Sequence, residues 1–227
     1  MLELLPPLRP IMKRGDFRAE ISWRIFRILA EFIDGFQFLA DLKKEVSIFG
    51  STRFTEKNPH YKDALALARR LGKAGYTIVT GGGPGIMEAA NRGAFETGAE
   101  SVGLNIQLPK EQRINKYVKH GIGFHYFFTR KTMLSVSAQA YIFFPGGFGT
   151  LDEMFEILTL IQTKKTEPIA LILFGSDFWA PLLKWIEKQV YEVHHAVAKE
   201  DMKIYTLVDT VDEAFKIISK SKEREYF

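Results

Sequence analysis

Two short stretches carry residue types able to act on a small anionic substrate. Pro145-Gly146-Gly147-Phe148-Gly149-Thr150-Leu151-Asp152-Glu153 follows the apolar run Ala140–Phe144 and opens an apolar-periodic run from Met154 to Ile161. A strand that stops at a glycine turn and gives way to a helix at Thr150 leaves free amides, which seat a phosphate. Glu153 then lies one turn into that helix. Upstream, Thr129 reads as an N-cap, which puts Arg130 and Lys131 in the first turn of another helix. The macrodipole disfavours cations there by roughly 0.3–1 kcal/mol each, and a nearby anion or carboxylate relieves the conflict. An anion cradle beside a carboxylate suits a nucleotide whose sugar is attacked rather than merely held.

Each of these features also has a plainer account. Thr150-x-x-Glu153 before an apolar run is a capping box, and a helix start can serve as cap and cradle together. Arg130-Lys131 also reads as a solvated surface pair. Gly50-Ser51, Gly81-Gly82-Gly83-Pro84-Gly85 and Gly146-Gly147-Phe148-Gly149 each follow a strand candidate. Any one of them is explained by turn chemistry alone; three at one end of a sheet are harder to dismiss. None has the G-x-G-x-x-G or G-x-x-x-x-G-K-[ST] spacing, which argues against a dinucleotide-binding dehydrogenase and a P-loop NTPase. Glu88 reads as a surface or capping carboxylate. Leu108 to Gln112 is a polar loop whose position lets it cover the site. The histidines show no metal-ligand spacing.

Around these stretches the pattern alternates strand and helix. Strands are predicted at 46–49, 76–80, 101–104, 140–144, 169–174 and 204–208, with a short extra one at 124–128. Helices are predicted at about 59–73, 85–97, 129–139, 150–163, 177–192 and 210–220. Near-continuous apolar strands between helices imply a doubly wound, Rossmann-like parallel α/β sheet with helices on both faces. In such sheets ligands bind beyond the carboxyl ends of the strands. An amphipathic helix from Asp16 to about Leu39 precedes them, with Phe17, Ile21, Ile25, Ile28, Phe32, Phe36 and Leu39 on one apolar pattern. It is expected to pack on the rest of the chain or on a second subunit, with a membrane surface as the lesser alternative. The expected organisation is an N-terminal helical extension over 1–44 and a nucleotide-binding catalytic domain over 45–227.

The 227 residues are 46% hydrophobic, enough for a full core. The charge of +4 arises from 31 basic and 27 acidic residues with no dense basic tract. Nucleic acid is therefore not an expected partner, whereas a small anion agrees with the sign. The absence of cysteine removes thiolate chemistry, disulfides and Cys-based metal sites. No signal-peptide pattern or apolar run of about 18 residues occurs, so a cytoplasmic protein without membrane contact is expected.

Taken together, Gly81-Gly82-Gly83-Pro84-Gly85-Ile86-Met87-Glu88-Ala89-Ala90-Asn91, Thr129-Arg130-Lys131 and Pro145-Gly146-Gly147-x-Gly149-Thr150-x-x-Glu153 resemble the LONELY GUY family over about residues 45–210. These are cytokinin riboside 5′-monophosphate phosphoribohydrolases, long labelled as lysine decarboxylases. The resemblance implies Arg130 and Glu153 as the catalytic pair. It implies Gly82, Gly83, Glu111, Arg130, Lys131, Gly146, Gly147, Phe148, Gly149, Thr150 and Thr159 as substrate-binding positions. It further implies a purine, adenine-type nucleoside 5′-monophosphate as substrate, no cofactor, no metal, and a homodimer or larger homo-oligomer. The same superfamily contains proteins resembling molybdenum-cofactor carriers, which hold a phosphorylated ligand without cleaving it. The long N-terminal helix resembles the extended bacterial members.

Overall fold

The computed structural model describes residues 17–107 and 114–223. Seven parallel strands form one sheet in the order β4-β3-β2-β1-β5-β6-β7. They are β1 (Glu45–Phe49), β2 (Thr77–Thr80), β3 (Ser101–Ile106), β4 (His120–Phe124), β5 (Ala140–Phe143), β6 (Ala170–Phe174) and β7 (Tyr205–Val208). Register is in step through the centre: Ile48 pairs with Ile142 and Val46 with Ile78. β2 and β5 are buried along their whole length, which is why their sequences carry apolar side chains on both faces.

Helices cover both faces. On one lie α2 (Pro59–Lys73), α3 (Ile86–Glu96) and α7 (Val211–Ile218), packed with Val46, Ile48, Ile78, Ile142 and Ile172 in one core. On the other lie α1 (Phe17–Ala40), α4 (Phe127–Val136), α5 (Phe148–Gln162) and α6 (Ser176–Trp185), which enclose Val79, Leu104, Phe124, Tyr141, Phe143 and Leu173. The strand order runs outward from β1 in one direction and from β5 in the other. The crevice above the β1–β5 boundary is therefore the topological switch point, where ligands bind in such sheets. No helix among the described residues is long and apolar enough to cross a membrane.

Four local expectations are corrected. The strand predicted at 124–128 is instead β4 at His120–Phe124, and Phe127 and Phe128 already belong to α4. α4 starts with Tyr126 as its N-cap rather than Thr129. Arg130 and Lys131 therefore stand a turn inside the helix, where the macrodipole penalty is weaker. α5 starts at Phe148 with Gly147 as N-cap, so Thr150 lies inside the first turn and the Thr150–Glu153 capping box does not form. The helix predicted at 177–192 is α6 carrying Pro181, followed by a π-helical segment over Ile186–Val193. Proline cannot donate to the ladder and perturbs the turn around it.

Candidate active site

Glycine turns bring the ends of three strands together. The Ser51 amide after β1 donates to the Pro145 carbonyl after β5 at 3.0 Å, and the Ser51 carbonyl accepts from the Ile86 amide at 3.0 Å. Gly85, at φ +72°, is needed for that closure: a β-carbon there would come within 2.2 Å of the Ser51 carbonyl oxygen. On the far side of β2, the turn at Gly82 (φ +71°) is clamped by a buried polar network. The Gly82 amide donates to Thr80 Oγ1, and Asn115 Nδ2 donates to the carbonyls of Gly82 and Gly83 and to Asn91 Oδ1. Asn91, fully buried, donates in turn to Ser101 Oγ. Asn115 had no signal of function in the sequence, because its partners lie far along the chain, in the turn after β2 and in α3.

The turn after β5 leads directly into α5. Gly147 accepts from the amides of Thr150 and Leu151 at 3.0 and 3.1 Å, leaving the first amides of the helix as donors at its positive end. Gly146 has no room for a side chain, since a β-carbon would lie 2.2 Å from Thr150 Oγ1. Gly147 and Gly149 face open space. Phe148 is 91% exposed, an unusual position for a phenyl ring.

Beneath this helix start sits Glu153. Its side chain is buried, and neither carboxylate oxygen has a hydrogen-bond partner among the described residues. Arg130 Nη2 lies 3.6 Å from Glu153 Oε1, an ion pair held just beyond hydrogen-bond distance, and Arg130 Nε also has no hydrogen-bond partner among the described residues. Burial pushes the Glu153 carboxyl up to about 7, against the opposing pull of Arg130 and Lys131; Glu156 and Asp152 add to the rise. Burial also lowers the Arg130 guanidinium from its ordinary value, with Glu153 and Asp152 counteracting. Arg130 reaches toward the second glycine turn: a β-carbon on Gly81 would meet its Nη1 at 3.1 Å. Buried polar groups are nearly always satisfied, so Glu153 Oε1 and Oε2 and Arg130 Nε, without hydrogen bonds among the described residues, single out this pair as a candidate functional position.

Other expected site residues lie elsewhere. Lys131 Nζ is within 3.2 Å of Glu156 Oε2 and also pairs with Asp152. Burial alone would lower its ammonium, but these carboxylates and Glu153 hold it above the ordinary lysine value. Thr159 is exposed and donates to the Phe155 carbonyl at 2.7 Å. Six residues beyond Glu153 is about 9 Å along the helix and on another face, so this chain does not bring the two together. Glu111 and the polar loop at 108–112 lie outside the described residues. A contributor that the sequence reading missed is Glu31 of α1, whose carboxylate accepts from the His125 and Tyr126 amides at the start of α4.

The chain thus has a parallel, Rossmann-like sheet with a glycine-rich helix start and a buried carboxylate–guanidinium pair at its switch point. The chain belongs to the family described as possible lysine decarboxylase, whose model matches residues 87–218. It is similar to cytokinin riboside 5′-monophosphate phosphoribohydrolase LOG2 of Arabidopsis thaliana, at 28% identity over 155 residues, covering 66% of this chain and 71% of the relative. The cytokinin riboside 5′-monophosphate phosphoribohydrolase of Rhodococcoides fascians is 26% identical over 155 residues, covering 66% and 77%. Among solved structures, the molybdenum cofactor binding protein of Rippkaea orientalis shares the fold with a TM-score of 0.57 at 21% identity, covering 77% of this chain and 93% of that one.

Proposed function

We propose that the protein hydrolyses the N-glycosidic bond of an adenine-type purine nucleoside 5′-monophosphate, N6-modified or not, releasing the base and ribose 5-phosphate. The observation that carries this reading is Glu153: buried, without a hydrogen bond at either oxygen among the described residues, and 3.6 Å from Arg130 under the start of α5. The substrate phosphate sits on the amides of the Gly147–Thr150 turn with the Thr150 hydroxyl, where the helix end favours negative charge. Gly82 and Gly83 border the nucleotide from the neighbouring turn, and the exposed ring of Phe148 flanks its entry. As the C1′–N bond breaks, positive charge develops on the ribose. Ionised Glu153 stabilises that charge and positions the attacking water on C1′. Arg130 orients Glu153 and donates to ribose or phosphate oxygens. Phosphate binding thus supplies remote energy that places the sugar.

The family description points to another chemistry, and the site argues against it. A decarboxylase working through a Schiff base needs a lysine that loses its proton readily. Lys131, the lysine paired beside this site, is held protonated by Asp152 and Glu156. A carrier reading has the fold likeness to the Rippkaea orientalis protein in its favour. Comparison of adenosine 5′-monophosphate with adenosine tests the proposal. Base release confined to the phosphorylated compound supports it, and equal cleavage of the nucleoside refutes the phosphate cradle.

A further inference from the structure

The N-terminal helix holds the start of α4, the helix that carries Arg130, through one side chain. Glu31 sits in the middle of α1 with its carboxylate at the start of α4. Its Oε1 accepts from the His125 amide at 2.9 Å and its Oε2 from the Tyr126 amide at 3.2 Å. The Thr129 hydroxyl lies 2.5 Å from Oε2 and 2.7 Å from the Tyr126 carbonyl, so its single proton serves one of them at a time. No side chain of the α4 N-cap residue itself caps the helix. A carboxylate at a helix start satisfies amides that otherwise lack partners and complements the macrodipole.

The next link is short. The Arg130 amide donates to the Tyr126 carbonyl at 3.3 Å, so Glu31 holds the N–H of the same residue whose C=O accepts from Arg130. From there the Arg130 guanidinium faces Glu153. Close packing of α1 on α4 keeps Glu31 in reach. Gly35, one turn beyond Glu31, lies so near α4 that a β-carbon would meet Met133 Sδ at 2.6 Å.

We infer that Glu31 is a positioning residue for the site: α1 caps the helix that carries Arg130 and so sets the Arg130–Glu153 geometry. The inference rests on the function proposed above, and gives the N-terminal helix a part in it. Loss of the cap lets the first turn of α4 relax, and displacements on the order of 1 Å at a reacting centre lower rates by about 10²-fold.

Three variants test this. Glu31→Ala removes all three contacts, Glu31→Gln keeps an acceptor oxygen, and Leu39→Ala removes core burial at the far end of α1, about 12 Å along the helix from Glu31. Glu31→Ala is expected to lower kcat/KM for nucleoside monophosphate cleavage by about 10- to 100-fold, with Glu31→Gln in between. Leu39→Ala is expected to lower Tm while changing kcat/KM by no more than about twofold, since it leaves the reacting groups in place. Glu153 is faced by Arg130 and Lys131 of α4 and by Asp152 and Glu156 of α5. Withdrawal of Arg130 in Glu31→Ala therefore moves the acid limb of the pH profile upward, a change that Leu39→Ala does not produce. A crystal structure of Glu31→Ala tests the inference independently of any activity. Arg130 retained at its wild-type distance from Glu153, or kinetics in Glu31→Ala matching those of Leu39→Ala, overturns it. Wild-type protein that neither binds nor cleaves nucleoside monophosphates would instead refute the proposed function, and the position of Arg130 in the Glu31→Ala crystal would then decide the role of Glu31.

Discussion

Glu153 combines properties that stability alone would select against. Its folded-state value of about 7, against 4.5 ordinarily, means that the native chain binds this proton more tightly than the unfolded chain does. The stability associated with that proton is present below about pH 4.5 and is lost as pH rises through about 7. The two values differ by the equivalent of about 3 kcal/mol. Glu153→Gln does not titrate, so its Tm should gain on wild type as pH is raised from 4.5 to 8. Thermal melts across that range check this; a constant difference would mean that the carboxylate is solvated. In kinetics the sign reverses, because the proposed mechanism works through the ionised form. kcat/KM should rise with pH through about 7, and Glu153→Gln should lose about 10²–10⁴-fold in turnover while still binding nucleotide. Arg130→Met removes a charge that lowers the Glu153 value. Its acid limb should shift upward and its nucleotide affinity fall, whereas a purely structural Arg130 would alter Tm and leave the profile in place.

At the scale of elements, two glycines of one turn should behave oppositely. Gly146→Ala drives a β-carbon into Thr150 and should lower both Tm and activity. Gly149→Ala meets none of the described residues and lies in the first turn of α5, so it should keep or raise stability by up to about 1 kcal/mol. It should nonetheless weaken nucleotide binding, because the methyl group crowds the phosphate seat. Equal affinity in Gly149→Ala and wild type would argue that the phosphate lies elsewhere. This turn was legible in the sequence, since Pro-Gly-Gly after an apolar run is a local signal. The start of α4 was not. Thr129 has the chemistry of an N-cap, yet Tyr126 takes that place and the capping carboxylate comes from Glu31, 94 residues earlier than His125. Long-range capping leaves no trace in local spacing. The missing capping box of Thr150 has a similar cause: Gly147 opens the helix earlier, and Glu153 is turned into the crevice.

For the whole molecule, alternating strand and helix periods gave away the parallel sheet, and its strand order then placed the crevice. What periodicity could not convey is which apolar faces stay uncovered. Trp23, Phe26, Leu29, Ile33 and Phe36 of α1 are exposed, as are Phe127, Phe148 and Phe155 near the site. α1 carries three arginines and three acidic residues, a balance unlike the basic excess of membrane-surface helices. The homo-oligomer expected from the sequence would cover such a neutral, aromatic face with a second copy of the chain. Sedimentation should therefore show an oligomer, and Trp23→Glu with Phe26→Glu should shift it toward monomer. A monomeric wild type at micromolar concentration would contradict that expectation. The central claim is the chemistry at Glu153, and its most direct measurement is product analysis after incubation with adenosine 5′-monophosphate. Adenine and ribose 5-phosphate should appear in equal amounts, and Glu153→Gln should abolish both. Recovery of the nucleotide intact from a protein that binds it would contradict the account and make the chain a carrier.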